Sequence, residues 1–234
     1  MLNRVAQSLR AAGGTIFEFV VAEILNSFLG SDDIVVTRAR EPALRALIRD
    51  RSNLQRVMDF TKIPVKRRCD QTQLQDYPDL DLFALIRPSK NEGLWRLLAI
   101  INCKVSFHAR DTEATFWGLL IRLSSNIPFV VVTEDRDIYK PKASELGQSC
   151  AQSTRTRRLL ESFSDGVYLV KRYNGLSDPA LRRDIETKQS QLRAGIGSIV
   201  FDDINIPNHT KYCQSVRPID DLIVHLRRWK AELL

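Results

Sequence analysis

The chain has 234 residues, 44% of them hydrophobic, which is ample for one large domain or one domain with a small lobe. Thirty-five Lys and Arg against 28 Asp and Glu leave a formal charge of +7, a surplus that draws polyanions, nucleic acid foremost. The longest apolar runs in the sequence, such as Leu97 to Ile101 and Ile127 to Val132, are too short to cross a bilayer, and Cys69, Cys103, Cys150 and Cys213 form no CxxC pair and follow no secretory leader. The expectation is a soluble cytosolic protein with reduced thiols, no membrane partner, no disulfide and no zinc site.

Taken in chain order, Ile16, Phe17, Val20, Ile24, Leu25 and Phe28 recur at helical spacing after the Ala11-Ala12-Gly13-Gly14 interruption, with Thr15 as N-cap and Gly30-Ser31 as the stop. Glu18 and Glu23 stand five positions apart on this helix, so they fall on different faces and at most one points at a given site. Ile34-Val35-Val36 reads as a short strand, and Pro42 to Phe60 as a helical stretch with an arginine-rich face that packs as a satellite or contacts DNA. Two apolar strand-like runs follow, Tyr77 to Ile86 and Trp95 to Ser106. The turn formers Arg87 to Gly93 lie between them, so they pair most simply as an antiparallel hairpin. Phe107, Phe116, Trp117, Leu119, Leu120 and Leu123 suit a helix that begins near Asp111-Thr112-Glu113, with Asp111 or Thr112 as its cap. Phe129 to Thr133 is a strand buried on both faces. Beyond it come a helix from Thr154 to Phe163, a strand from Gly166 to Val170, a polar helix from Asp178 to Leu192 and a turn-rich passage from Gly195 to Asn208. A final amphipathic helix, Ile219 to Leu234, turns Leu222, Ile223, Leu226 and Trp229 inward. Strands alternating with helices in this way predict an α/β fold, a mixed central β-sheet flanked by helices.

The chemistry gathers at the hairpin. In a regular strand Asp79 and Asp81 share one face, about 7 Å apart, and the antiparallel partner brings Lys104 beside them. Lys104 ends an apolar run, where an ammonium is costly to bury unless it meets a carboxylate, a phosphate or metal-bound water. An acidic pair with a lysine can hold a divalent cation, position a water and stabilise a phosphate under in-line attack. Asp79-x-Asp81 alone is more often a solvated strand start; the combination is far more specific. Arg110 is placed to clamp a phosphate oxygen, Glu113 to supply a further carboxylate, and His108, with no second histidine nearby, to make a peripheral phosphate contact. Lys66, Arg67, Arg68 and Arg155 are basic positions flanking the site and suited to DNA, whereas His209 and His225 read as structural or exposed.

Pro78-Asp79, Asp81 and Asn102-Cys103-Lys104 give the chain a resemblance to the PD...(D/E)xK nuclease superfamily. More closely, Ile101 to Trp117 followed by Phe129 to Asp135 is similar to the nuclease region of type II restriction endonucleases, type IIS enzymes included, and the likeness runs from Gly14 to about Tyr173. The resemblance implies a restriction-endonuclease-like core in which Asp79 binds Mg2+, with Mn2+ able to substitute, and Lys104 orients the attacking water. It also implies an early helix with a Gly-x-x-Phe-Glu pattern, matched by Gly14-Thr15-Ile16-Phe17-Glu18, which selects Glu18 over Glu23. One position departs from the pattern. Asn102 stands where an acid is expected, and its neutral amide can ligate a cation but brings no charge, so Glu113 or Glu18 is expected to compensate. The resemblance further implies a nuclease core over residues 1–175, and a helical and loop extension of the same domain over 176–234 serving recognition or dimerisation. The implied activity is Mg2+-dependent hydrolysis of double-stranded DNA at a specific sequence, in a bacterial or archaeal cytoplasm, by a homodimer or by a heterodimer with a larger recognition subunit. The rivals are the catalytic subunit of a heterodimeric type IIS enzyme, a structure-specific repair or junction nuclease, and a DNA-binding module that has lost catalysis.

Overall fold

Seven consecutive buried positions, Leu97 through Cys103, make β5 (Arg96–Lys104) the spine of a six-stranded sheet. The computed structural model describes residues 2–66, 73–88, 93–107, 111–135, 144–170 and 213–233, together with Arg183 and Thr187. The sheet runs β1 (Ile34–Arg38), β4 (Leu82–Ile86), β5, β6 (Phe129–Thr133), β7 (Val167–Leu169), β8 (Val216–Pro218), and β2 (Ile63–Lys66) pairs with β3 (Gln73–Asp76) as a separate antiparallel ribbon. β1, β4 and β5 are antiparallel, as a hairpin connection allows; from β5 to β8 the pairing is parallel. Parallel neighbours need a crossover, and α4 (Asp111–Ser124) and α5 (Arg155–Phe163) supply two of them.

Helices cover both faces. Phe17, Val21, Leu25 and Leu29 of α1 (Leu2–Leu29) and Leu222, Ile223 and Leu226 of α6 (Ile219–Leu233) pack on one face against Leu82, Ala84, Ala99, Ile101, Val130 and Val132. On the other, Leu44 of α2 (Glu41–Leu47), Leu54 and Val57 of α3 (Arg51–Asp59), Ala114 and Ile121 of α4 and Leu160 of α5 meet Phe83, Leu85, Ile100, Phe129 and Val131. Each of the fully buried Val, Leu, Ile and Phe side chains contributes about 1.5–3 kcal/mol. Residues 213–233 thus enter the core itself.

The hairpin, the doubly buried β6 and the terminal helix stand where the sequence predicts them. Four features differ. α1 does not begin at Thr15 but continues from Leu2 through Gly13 and Gly14. The stretch from Pro42 to Phe60 is two helices broken at Ile48-Arg49-Asp50, where the Asp50 side chain accepts the Asn53 N–H as N-cap; with Leu44, Ile48, Leu54 and Val57 buried it is core, not a satellite. α4 turns its small side inward: Phe116, Leu119 and Leu123 are exposed, while Gly118 lies where a Cβ would come within 2.4 Å of the Phe163 carbonyl oxygen. Finally, Ala12–Asp32 has the length and apolarity of a membrane-crossing helix, although no run of that length is evident from the sequence; Phe17, Val21, Leu25 and Leu29 pack on the sheet, whereas Ile16 and Phe19 face outward. The expected helix from Asp178 to Leu192 and the passage from Gly195 to Asn208 lie outside the described residues, save Arg183 and Thr187.

Candidate active site

The chemistry sits at the rim where β4 enters the sheet and β5 leaves it. Their register pairs Leu82 with Ile101, so one step outward Asp81 stands opposite Asn102. Asp81 Oδ2 accepts the Cys103 N–H at 2.7 Å and lies 3.7 Å from Lys104 Nζ. Both side chains are nearly buried, Lys104 at 11% exposure and Asp81 at 14%. On β5, Ile101 and Cys103 pack toward α1 and Ile100 toward α4, so alternation turns Asn102 and Lys104 to the α4 side.

Residues 77–81 are not strand, so the regular 7 Å spacing expected for Asp79 and Asp81 does not apply. Pro78 is buried, Asp79 is exposed, and Asp81 is pinned at both ends: its carbonyl accepts the Ala39 N–H at 3.0 Å while its carboxylate faces Lys104. Burial pushes the Asp81 carboxyl up to about 6 from its ordinary 3.8. Lys104 and the Cys103 N–H pull it down, and the negative charges of Glu18 and Asp79 push it further up. Glu18 and Asp79 therefore share the electrostatic neighbourhood of Asp81.

Glu18 reaches that neighbourhood from α1. It is 8% exposed, and its Oε2 accepts from Arg38 Nε at 3.2 Å. Arg38 ends β1 and is in register with Leu82, so the same strand pairing that positions Asp81 also holds the partner of Glu18. Glu23 is exposed.

Asn102 is fully buried, and neither atom of its amide has a hydrogen-bond partner among the described residues. An unsatisfied buried amide costs about 1–3 kcal/mol per group. The Asn102 amide oxygen, on the strand that carries Lys104, is a hard donor of the kind a divalent cation takes, as are the carboxylates of Asp81, Asp79 and Glu18.

Glu18 and Asp79 share the surroundings of the Asp81–Lys104 pair, and Asn102 stands two residues before Lys104 on β5. Glu113 is exposed on the first turn of α4, and among the described residues no hydrogen bond or ion pair links it to Asp81 or Lys104. Arg155 is exposed at the start of α5. His108, Arg110, Arg67, Arg68 and the side chain of Lys66 lie outside the described residues. His225, expected to be structural or exposed, is half-buried and bonded to the Tyr168 hydroxyl. His209 lies outside the described residues.

Two supporting residues escape the sequence. Arg38 carries no motif, and only the β1–β4 register reveals its bond to Glu18. Glu145 accepts the N–H of Phe107, three residues past Lys104, at 3.1 Å, while its carbonyl accepts the Thr154 hydroxyl at 2.7 Å, tying the exit of β5 to the start of α5.

This architecture is that of restriction endonucleases. The AgeI–DNA complex matches with a TM-score of 0.50 and 17% identity over 71% of this chain and 58% of that one. A pre-specific BsaWI–DNA complex matches with a TM-score of 0.50 and 13% identity over 99% of this chain and 66% of that one. In sequence, the candidate type II restriction enzyme MjaVIP of Methanocaldococcus jannaschii is 25% identical over 175 residues, 73% of this chain and 70% of its own. The profile of the BsaWI restriction endonuclease type 2 family matches residues 50–192, more than half of the chain, and the chain belongs to that family. The matched region contains Asp79, Asp81, Asn102 and Lys104; Glu18 and Arg38 precede it.

Proposed function

We propose that the chain hydrolyses phosphodiester bonds of double-stranded DNA at a specific sequence, as a type II restriction endonuclease. The observation that carries this is the Lys104 ammonium 3.7 Å from a buried Asp81 whose own carboxylate is fixed by the Cys103 N–H. Asp81 takes the central place that the motif resemblance assigns to Asp79, with Asp79 and Glu18 as flanking acids. Asp81, Asp79, Glu18 and the Asn102 amide oxygen would hold a divalent cation, Mg2+ with Mn2+ as substitute, which would supply charge neutralisation at the scissile phosphate and a more acidic water.

The protein's own groups do the rest. Lys104 holds the attacking water against the phosphate and balances charge as the in-line displacement proceeds. Asp81 orients the Lys104 ammonium, and Arg38 keeps Glu18 from drifting toward solvent. The net charge of +7 raises the encounter rate with DNA. Cutting both strands with one site per chain calls for two chains, so the working form is a homodimer, or a heterodimer with a larger recognition subunit, in the cytoplasm. Recognition or dimerisation, expected of 176–234 as a whole, falls to 176–212, since residues 213–233 complete the sheet and core. Digestion of a plasmid of known sequence in Mg2+, followed by sequencing of the ends, tests the proposal: discrete ends at one sequence support it, and random nicking or cutting confined to branched substrates points to a repair or junction nuclease.

A second reading rests on Asn102, a neutral residue at an acidic position. A DNA-binding module without catalysis gives a salt-sensitive gel shift and no cleavage in either Mg2+ or Mn2+.

A further inference from the structure

On the α4 side of the sheet a guanidinium is fully buried among sulfur atoms. Arg157 of α5 has a side-chain exposure of 0%. Its Nη2 lies 3.1 Å from Cys150 Sγ and 3.0 Å from Cys213 Sγ, and its Nε donates to Glu161 Oε1 at 2.9 Å. The Ser215 hydroxyl donates to the same Glu161 oxygen at 2.7 Å and stands 3.2 Å from Cys213 Sγ. Both sulfur atoms and a carboxylate oxygen of Glu161 lie within 4.8 Å of one another. Cys150 is exposed at the surface of the loop before α5, and Cys213, half-buried, leads into β8.

Two thiols and a carboxylate at this spacing suit a soft metal ion, but the guanidinium already contacts all three with its own positive charge. A second cation in that space meets direct repulsion at low dielectric. What a buried guanidinium between two thiols does favour is a thiolate, the form that attacks sulfur. Burial pushes the Cys213 thiol up, yet hydrogen bonds from Ser215, Cys150 and the Val216 backbone outweigh it and leave Cys213 below the ordinary thiol range. The Cys150 thiol, bonded to Cys213, is held above that range. This asymmetry is the one an attacking and a resolving cysteine need.

We propose that Cys150 and Cys213 are a thiol–disulfide exchange pair that takes a low-molecular-mass disulfide as co-reactant and closes into an intramolecular bond beside the buried Arg157. In the first step the Cys213 thiolate attacks one sulfur of the co-reactant, forming a mixed disulfide and releasing the other half as a thiolate. In the second, Cys150 gives its proton to solvent and attacks the Cys213 sulfur, displacing the second half as a thiolate. One disulfide is consumed and one is made, and the co-reactant leaves as two thiols. Both thiols are free in this structure; the pair adds a reversible oxidised form. The bond joins the loop before α5 to the sheet-edge strand β8 and ties together positions 150 and 213 of the chain.

The test uses the full chain with oxidised glutathione, digestion without reduction, and mass spectrometry. A Cys150–Cys213 linked peptide that vanishes with dithiothreitol is expected, and in Cys150→Ser the mixed disulfide should persist on Cys213. Cys213 should also react with an aromatic disulfide at neutral pH about fivefold faster in the folded protein than in urea. The proposal is overturned if both cysteines carry glutathione separately with no link between them, or if the link runs to Cys69 or Cys103. It is equally overturned if one equivalent of Zn2+ alone shields both thiols from labelling, which would make the cluster a metal site.

Discussion

Replacing Asp81 by asparagine should stabilise the metal-free protein as it destroys the activity. Burial and the charges of Glu18 and Asp79 lift the Asp81 carboxyl from 3.8 to about 6 even against Lys104 and the Cys103 N–H. A carboxylate whose folded value is raised binds its proton more tightly in the folded state, so stability falls as pH rises between these two values and then levels off. At about 1.4 kcal/mol per tenfold change in proton affinity, the cost of ionising Asp81 in the fold is about 3 kcal/mol. Asparagine keeps an oxygen for the Cys103 N–H and carries no charge. Urea unfolding in EDTA should therefore show Asp81→Asn gaining about 3 kcal/mol on the native protein between pH 3.8 and pH 8, the gain falling mostly below pH 6. The same titration of the native protein with Mg2+ should recover much of the lost stability, since a ligand that binds only the folded state adds to it by mass action. A stability difference between variant and native that does not change with pH would refute the account, because Asp81 would then be ionised at no cost and the acidic cluster would be no cradle.

Lys104→Ala and Asp81→Asn should each lower cleavage by about a hundredfold or more, measured as plasmid linearisation, while leaving DNA binding in Ca2+ intact; loss of the folded state in Lys104→Ala would recast it as a structural residue. Glu18→Gln should reduce cleavage by about tenfold or more and raise the Mg2+ concentration it requires, whereas Glu113→Gln should leave both unchanged; the reverse ranking would move the compensating acid to α4. Gly118→Ala forces a Cβ to 2.4 Å from the Phe163 carbonyl oxygen, so α4 and α5 must separate, and a loss of about 1–3 kcal/mol is expected in denaturant titration. Burial, aided by Arg228 and Arg217, holds His225 at about 4 instead of its ordinary 6.5. The unfolded chain takes up that proton first as pH drops, so stability is lost from 6.5 down to 4, and His225→Phe should lose less over that window than the native protein.

The hairpin and its lysine are legible because turn formers bracket two apolar runs, leaving one compatible pairing. Glu18 is legible through a motif, but its partner is not: the Arg38–Glu18 bond exists only once β1 lies beside β4, and nothing local in Thr37-Arg38-Ala39 signals that neighbour. The inward side of α4 escapes for a different reason. Apolar residues occupy so much of its circumference that period alone cannot choose between Phe116-Leu119-Leu123 and Ala114-Gly118-Ile121; close approach to α5 selects the smaller set. β8 is three residues long and contains Pro218, a composition tolerated at a sheet edge and unreadable as a strand in isolation.

The register of β4 against β5 jumps at Ala84–Leu85: Ala84 faces Ala99, yet Leu85 faces Leu97, so Leu98 is one residue in excess. That surplus works as a phase buffer between the two ends of the hairpin. A residue gained or lost near the turn can be taken up at the irregularity, and Asp81 still meets Asn102. No such slack exists between Ala99 and Lys104, where a single insertion would rotate the ammonium into the opposite layer and leave the acids facing a hydrocarbon wall. Length variation among related chains should accordingly be free at the hairpin tip and forbidden over those last six residues of β5.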